Sequence, residues 1–275
     1  MPQITTTARW VAAQRARESE RADCLFCDPW ASRLAGREGN QALELSEKVN
    51  PRHQETAAYI AIRVRFLDDF ALRLASEGIR QVVLLAAGMD ARAFRLPWPA
   101  GTSVYEVDHP ELLQLKEDIL QKEQAVPGCR RTVLGVDLGG NWTVGLEQLG
   151  FTPVEPSTWI LEGLLYYLPE AAVHRVLQQV SELASPGSGL GADLVSQSTL
   201  TSPWLQAALK QMEESGFAWK FGSDDPERLL ASYGWGAQVR QVGEAGANFG
   251  RWESPVVPRE QNAVPRTFLL AARKN

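Results

Sequence analysis

Gln81-Val82-Val83-Leu84-Leu85-Ala86-Ala87-Gly88-Met89-Asp90-Ala91-Arg92 is the stretch on which the fold turns. Its apolar run is too short for a helix and suits a strand buried on both faces, closed by a glycine turn. Just upstream, Ile60, Val64, Leu67, Ala71 and Leu74 recur at helical spacing over residues 55–77, and Gly78 caps that helix. Downstream, similar apolar runs recur at residues 103–107, 131–136, 158–161 and 190–195. Helical stretches such as 110–123 and 169–184 separate them. Strands alternating with helices predict an α/β protein with a parallel sheet covered on both sides. Two further strands, 237–242 and 266–272, bring the count to seven.

Seven strands in this order, the last two a terminal pair, fit the doubly wound, Rossmann-like sheet of methyltransferase type. We expect a single domain over 1–275, with a helical cap over 1–78 and a cofactor-binding core over 79–195. A lid insertion follows over 196–235, between strands 5 and 6, then a terminal strand pair over 236–275. In the cap, Thr5-Thr6-Thr7 can start a helix from Ala8 to about Ala22, and Asp28-Pro29-Trp30 and Asn50-Pro51 are breaks. The lid segment reads as two helical pieces, long enough to cover whatever the sheet binds.

Composition narrows the function. The 275 residues are 44% hydrophobic and 22% charged, enough to build a large core, and the net charge is −5. A pI near 5.4 argues against a nucleic-acid partner. The longest strongly apolar stretch, residues 82–87, falls far short of the ~20 residues that span a bilayer, so no membrane partner is expected. The first thirty residues lack the apolar run of a secretory signal, and three cysteines cannot form a disulfide framework, so a cytoplasmic location is expected. No feature of the sequence bears on oligomeric state.

In open α/β sheets the ligand lies beyond the carboxyl ends of the strands. The first strand runs into Gly88, the second into Asp108, the third into Asp137-Leu138 and the fourth into Glu162-Gly163. Any one acid alone reads as a helix cap. Four strand ends carrying acids or a tight glycine on one edge favour a ligand with several hydrogen-bond donors. The first loop lacks the three glycines of a dinucleotide fingerprint and the lysine of a P-loop, so an adenosine without pyrophosphate fits better. Asp108 follows Gly88 by about twenty residues, the spacing of an acid that receives ribose hydroxyls. S-adenosylmethionine has this shape.

Five segments carry a resemblance. Val82-Val83-Leu84-Leu85-Ala86-Ala87-Gly88-Met89-Asp90-Ala91-Arg92-Ala93-Phe94-Arg95-Leu96 resembles the first motif of the leucine carboxyl methyltransferase family. The closest branch is the bacterial one of polyketide and mycobacterial-type O-methyltransferases, which reads G-A-G-L-D-T-R-A-Y-R-L there. Tyr105-Glu106-Val107-Asp108-His109-Pro110 resembles its E-V-D-x-P motif, and Glu162-Gly163-Leu164-Leu165-Tyr166-Tyr167-Leu168 its E-G-[LV]-x-x-Y-L motif. Arg63-Val64-Arg65-Phe66-Leu67-Asp68-Asp69 resembles R-T-R-x-x-D-D, and Leu25-Phe26-Cys27-Asp28-Pro29-Trp30-Ala31 resembles L-F-D-D-P-x-A. Two departures stand out. Cys27 replaces an aspartate, and Ala86 replaces the first loop glycine, an exchange that a negative φ would tolerate. The resemblance implies that Arg63 pairs with the cofactor carboxylate; read without it, Arg63 is a surface helix arginine paired with Asp68 or Asp69. It implies that Gly88 admits the methionine portion, Asp108 holds the ribose, Asp137 and Leu138 flank the adenine, and Glu162 faces the amino-acid end.

Cys24-x-x-Cys27 invites a zinc or redox reading, but a four-ligand site would have to draw on Cys129 and the scattered His53, His109 and His174. Two buried or half-buried thiols are expected instead. His109 reads as a helix start or a base, and Tyr166 and Tyr167 as acceptor contacts or core. Trp204, Phe217, Trp219 and Phe221 either fasten the lid or line an apolar acceptor pocket. The expectation is an S-adenosylmethionine-dependent O-methyltransferase acting on a small-molecule acceptor, a carboxylate or a polyketide-like oxygen. The alternatives are an NAD-dependent oxidoreductase and a non-catalytic cofactor-binding member of the same fold.

Overall fold

The computed structural model describes residues 2–214 and 217–275; Ser215 and Gly216 of the expected lid lie outside the described residues. Three helices come first, α1 (Pro2–Ser19), α2 (Ala31–Val49) and α3 (His53–Ser76). Then follow β1 (Gln81–Leu85), α4 (Arg92–Arg95), β2 (Ser103–Asp108), α5 (Pro110–Lys122), β3 (Arg130–Gly135), α6 (Thr143–Gln148) and β4 (Ser157–Leu161). A 3₁₀ turn (Leu165–Tyr167), α7 (Glu170–Leu183) and β5 (Gly189–Val195) lead to α8 (Gln197–Thr201), α9 (Gln206–Glu214) and α10 (Pro226–Ala231). β6 (Trp235–Gln241) and β7 (Thr267–Lys274) complete one seven-stranded sheet of order β3-β2-β1-β4-β5-β7-β6. All neighbours pair in parallel except β7, which runs antiparallel between β5 and β6.

Alternation along β1 divides the core. Val83 and Leu85 face one side with Trp159, Leu161 and the α7 residues Val173, Val176 and Val180. Val82 and Leu84 face the other with Ile160 and the α3 residues Leu67, Phe70 and Leu74. Helix α3 lies very close to β5. A Cβ on Gly189 would stand 2.2 Å from a Leu74 methyl, and one on Gly191 2.8 Å from the Phe70 ring. The strand order reverses between β1 and β4, so the crevice at the sheet's carboxyl edge opens between their tips.

Four expectations need correction. Helix α1 begins at Pro2, not Ala8, because proline's fixed φ suits a first helical turn. The threonines therefore lie inside the helix, which ends at Ser19. Among its described residues, the segment expected as two lid helices holds three, since Asp225 caps a separate α10 by accepting the Arg228 amide at 3.0 Å. β3 is not buried on both faces: it is the sheet edge and is partly solvent-exposed along its length. Ala86 adopts φ +57°, in the left-handed region rather than the negative φ that would make the glycine exchange easy.

Candidate active site

A single cavity of about 1200 Å³ runs along the carboxyl edge of the sheet. Gly88, Asp108, Asp137, Leu138 and Glu162 all line it, as do Arg63, His109, Tyr166 and Tyr167. Every residue expected to touch the cofactor, together with His109, Tyr166 and Tyr167, thus reaches one hollow.

Asp108 ends β2 with both carboxylate oxygens held by backbone. The Gly88 N–H donates to Oδ2 and the His109 N–H to Oδ1, each at 2.7 Å. The aspartate thereby ties the β1 turn to the start of α5. Burial pushes its carboxyl above the ordinary value, against the pull of those two amides. His109 is the N-cap residue of α5. Asp137 is more exposed, and its Oδ1 accepts the Gly139 N–H at 2.8 Å.

Arg63 projects from α3 into the crevice and pairs with neither Asp68 nor Asp69. Its Nε donates to Glu162 Oε1 at 3.0 Å, and its Nη1 donates to Asp193 Oδ2 and the Tyr166 hydroxyl, both at 3.1 Å. Glu162 also meets Arg92 Nη1 at 2.7 Å. Burial alone would raise the Glu162 carboxyl, but the guanidiniums of Arg92 and Arg63 outweigh it and hold the group below its usual range. Asp90 likewise loses to burial and gains more from Arg92, Lys116 and Arg95, and is held down at about 2. Arg92 and Arg95 share Asp68, while Arg15 of α1 and Arg95 share Asp28. A continuous chain of buried ion pairs therefore runs from α1 through α3 and the β1 turn to β5.

Two members of that chain carry no motif in the sequence. Asp193 sits fully buried in β5, accepting the Gly163 N–H at 2.6 Å through Oδ1 and the Tyr59 hydroxyl through Oδ2. The only signal was an aspartate inside an otherwise apolar strand. Tyr59 lies one helical turn before Arg63 on the same face. Burial, and then Asp193, drive the Tyr59 and Tyr166 phenols well above their ordinary value.

The aromatic residues of residues 196–235 divide. The Trp219 ring packs on Tyr166 at 5.3 Å, and Tyr166 on Tyr167 at 4.7 Å. Phe217 lines the cavity, Phe221 is core, and Trp204 is 88% exposed. The irregular segment between β6 and β7 adds Trp252, Val256 and Val257 to the wall. Cys27 is exposed rather than half-buried, because the turn before Asp28 carries it outward, while Cys24 is half-buried.

These residues suit S-adenosylmethionine by the chemistry of their donors and acceptors. A buried acid at the β2 tip, an acid at the β3 tip and a guanidinium beside a carboxylate at the β4 tip match a nucleoside joined to an amino acid. Nothing in the β1 turn is built for a pyrophosphate. Fold and site together define an S-adenosylmethionine-dependent methyltransferase, and the nicotinamide alternative does not hold. The family model described as leucine carboxyl methyltransferase matches residues 8–181. A relative from Streptomyces coelicolor, provisionally named as an S-adenosyl-L-methionine-dependent methyltransferase, is 38% identical over 98% of this chain and 96% of its own. One from Frankia alni with the same provisional name is 38% identical over 98% and 95%. Among solved structures, a protein from Thermobifida fusca provisionally described as a methyltransferase superposes with a TM-score of 0.58 at 19% identity, over 97% of this chain and 94% of that one. The magnesium protoporphyrin IX methyltransferase of Synechocystis gives 0.50 at 16% identity, over 82% and 89%. The chain belongs to the leucine carboxyl methyltransferase family.

Proposed function

We propose that the protein methylates an oxygen of a small-molecule acceptor, a carboxylate or a polyketide-like oxygen. The observation that carries this reading is the charge of the cavity wall on the acceptor side. From residue 196 onward, the charged wall residues among those described are Lys220 and Arg266, both cationic. Glu55 reaches the same region from α3, where it accepts the Ser254 hydroxyl at 2.9 Å. An anionic oxygen is attracted to such a wall, and a carboxylate needs no general base at neutral pH.

When bound, the cofactor supplies a methyl group on a cationic sulfur that leaves as a neutral thioether. The chain's own task is mainly alignment. Arg63 binds the amino-acid carboxylate, Glu162 faces its ammonium, Asp108 receives the ribose hydroxyls, and Asp137 with Leu138 holds the adenine. Tyr166 stays protonated and acts as a donor, since burial lifts its phenol far from neutrality. Were the acceptor a phenol or alcohol, His109 is a cavity residue that could take its proton.

Isotopically labelled methyl transfer to a panel of carboxylic acids, phenols and amines tests the reading. Base-labile labelled esters, or labelled aryl ethers, are expected. Label on amines alone would overturn oxygen transfer, and cofactor binding with no transfer to any member would favour a non-catalytic protein.

A further inference from the structure

Two helices on the rim of the cavity share one pattern. On α2, Ala42, Leu45, Ser46 and Val49 lie at helical offsets of 0, 3, 4 and 7, and all four line the cavity. Leading into and along α9, Leu205, Ala208, Leu209 and Met212 repeat those offsets and also line it. Such spacing makes an apolar stripe that ordinarily packs against a core. Here neither stripe does. Leu45 is 63% and Val49 53% exposed, and no residue of α9 is buried. Ile4 of α1, 43% exposed, adds to the same rim.

The hollow these stripes flank is continuous with Gly88 and Glu162 at the strand tips, and its volume exceeds the range of about 300–1000 Å³ usual for one ligand. It has room for a second, sizeable molecule beside the cofactor. We infer that the acceptor is a bulky, predominantly apolar molecule with its reactive oxygen at one end, clasped between α2 and α9. This rests on the methyl-transfer reading and adds to it a size, a polarity and two walls. The oxygen end lies toward Tyr166 and the strand tips. The apolar body runs outward between Leu45 and Val49 on one side and Leu209 and Met212 on the other, covering one stripe that is exposed and one that is only half-buried.

Straight-chain alkanoic acids of six to sixteen carbons, used below their micelle concentrations, are suitable probes. Their binding to the full chain is measured by calorimetry in the presence of S-adenosylhomocysteine. We expect affinity to rise by up to about four-fold per added methylene until the cleft is filled. Leu45→Glu, at an exposed position, and Leu209→Glu, at a half-buried one, should each abolish that rise and leave S-adenosylhomocysteine affinity within two-fold of wild type. The retained cofactor affinity also reports that the variants fold. Met212→Trp, which narrows the cleft without adding charge, should move the plateau to shorter chains. An affinity independent of chain length, or a rise that survives both glutamate substitutions, overturns the inference while the cofactor reading stands. Self-association that the glutamate substitutions abolish, with no acid bound, overturns it by assigning the stripes to a second copy of the chain. Failure of S-adenosylhomocysteine itself to bind overturns the methyl-transfer reading and the inference with it.

Discussion

Ala86 shows how much one methyl group can matter to a turn. Its φ of +57° places a side chain where an L-residue pays roughly 1–2 kcal/mol, two positions before Gly88 at +47°. Ala86→Gly should therefore raise stability by about 1 kcal/mol, read as a higher urea midpoint at constant slope. An unchanged midpoint would show that the turn relaxes around the methyl. Asp108 belongs to the same turn, and Asp108→Ala removes an acceptor of two amides and the expected partner of the ribose. Cofactor binding should weaken by roughly 1.5–3 kcal/mol, the scale of lost hydrogen bonds to a charged group. Arg63→Met should also weaken it, and calorimetry giving wild-type constants for both variants would remove the pair from the cofactor site. Asp108 and Glu162 could be found in the sequence because motif and strand tip coincide. Asp193 and Tyr59 could not, since their importance comes from Asp193 meeting Arg63 and Tyr59 of α3 across more than a hundred residues of chain.

At the level of elements, β5 is bound to α3 and to the turn after β4 through the one carboxylate of Asp193. Removing one partner of a buried ion pair typically costs about 3–5 kcal/mol, because the other charge is left without compensation. Asp193→Asn should lower stability by an amount of that order. It should also weaken cofactor binding at temperatures where the variant remains folded, because Arg63 loses one of its two carboxylate partners. Full stability in urea would mean that Glu162 alone suffices to hold Arg63. All seven strands and α3, α5 and α7 were legible, each within about two residues, because buried strands read as apolar runs and long helices repeat their spacing. Helices α4 and α6 were not, being a single turn or little more. The cavity wall at Trp252 and Val256 was hidden for a different reason. It belongs to an irregular segment, where no period exists to be read.

For the whole molecule, the chain of buried ion pairs predicts how stability follows pH. Asp90, held at about 2, and Glu162, held below its usual range, have lower values folded than unfolded. Their contribution is complete above the ordinary carboxylate range near ~4 and is lost as pH falls through the folded values. Asp108, raised by burial, acts in the opposite sense, since ionising it costs stability and acid relieves that cost. Stability should thus fall steeply between about pH 4 and 2, and Asp90→Asn should flatten that limb in urea titrations at several pH values. Parallel profiles for variant and wild type would place the acid sensitivity elsewhere. The sheet's connectivity has a further consequence, for biosynthesis. Among the described residues β6 is an edge strand whose strand partner is β7, and β7 also supplies the free edge of β5 with its partner. Until Thr267 to Lys274 has been made and released, β6 has no strand to join and β5 keeps one side open, so a chain truncated before this strand exposes unpaired edges to chaperones and proteases.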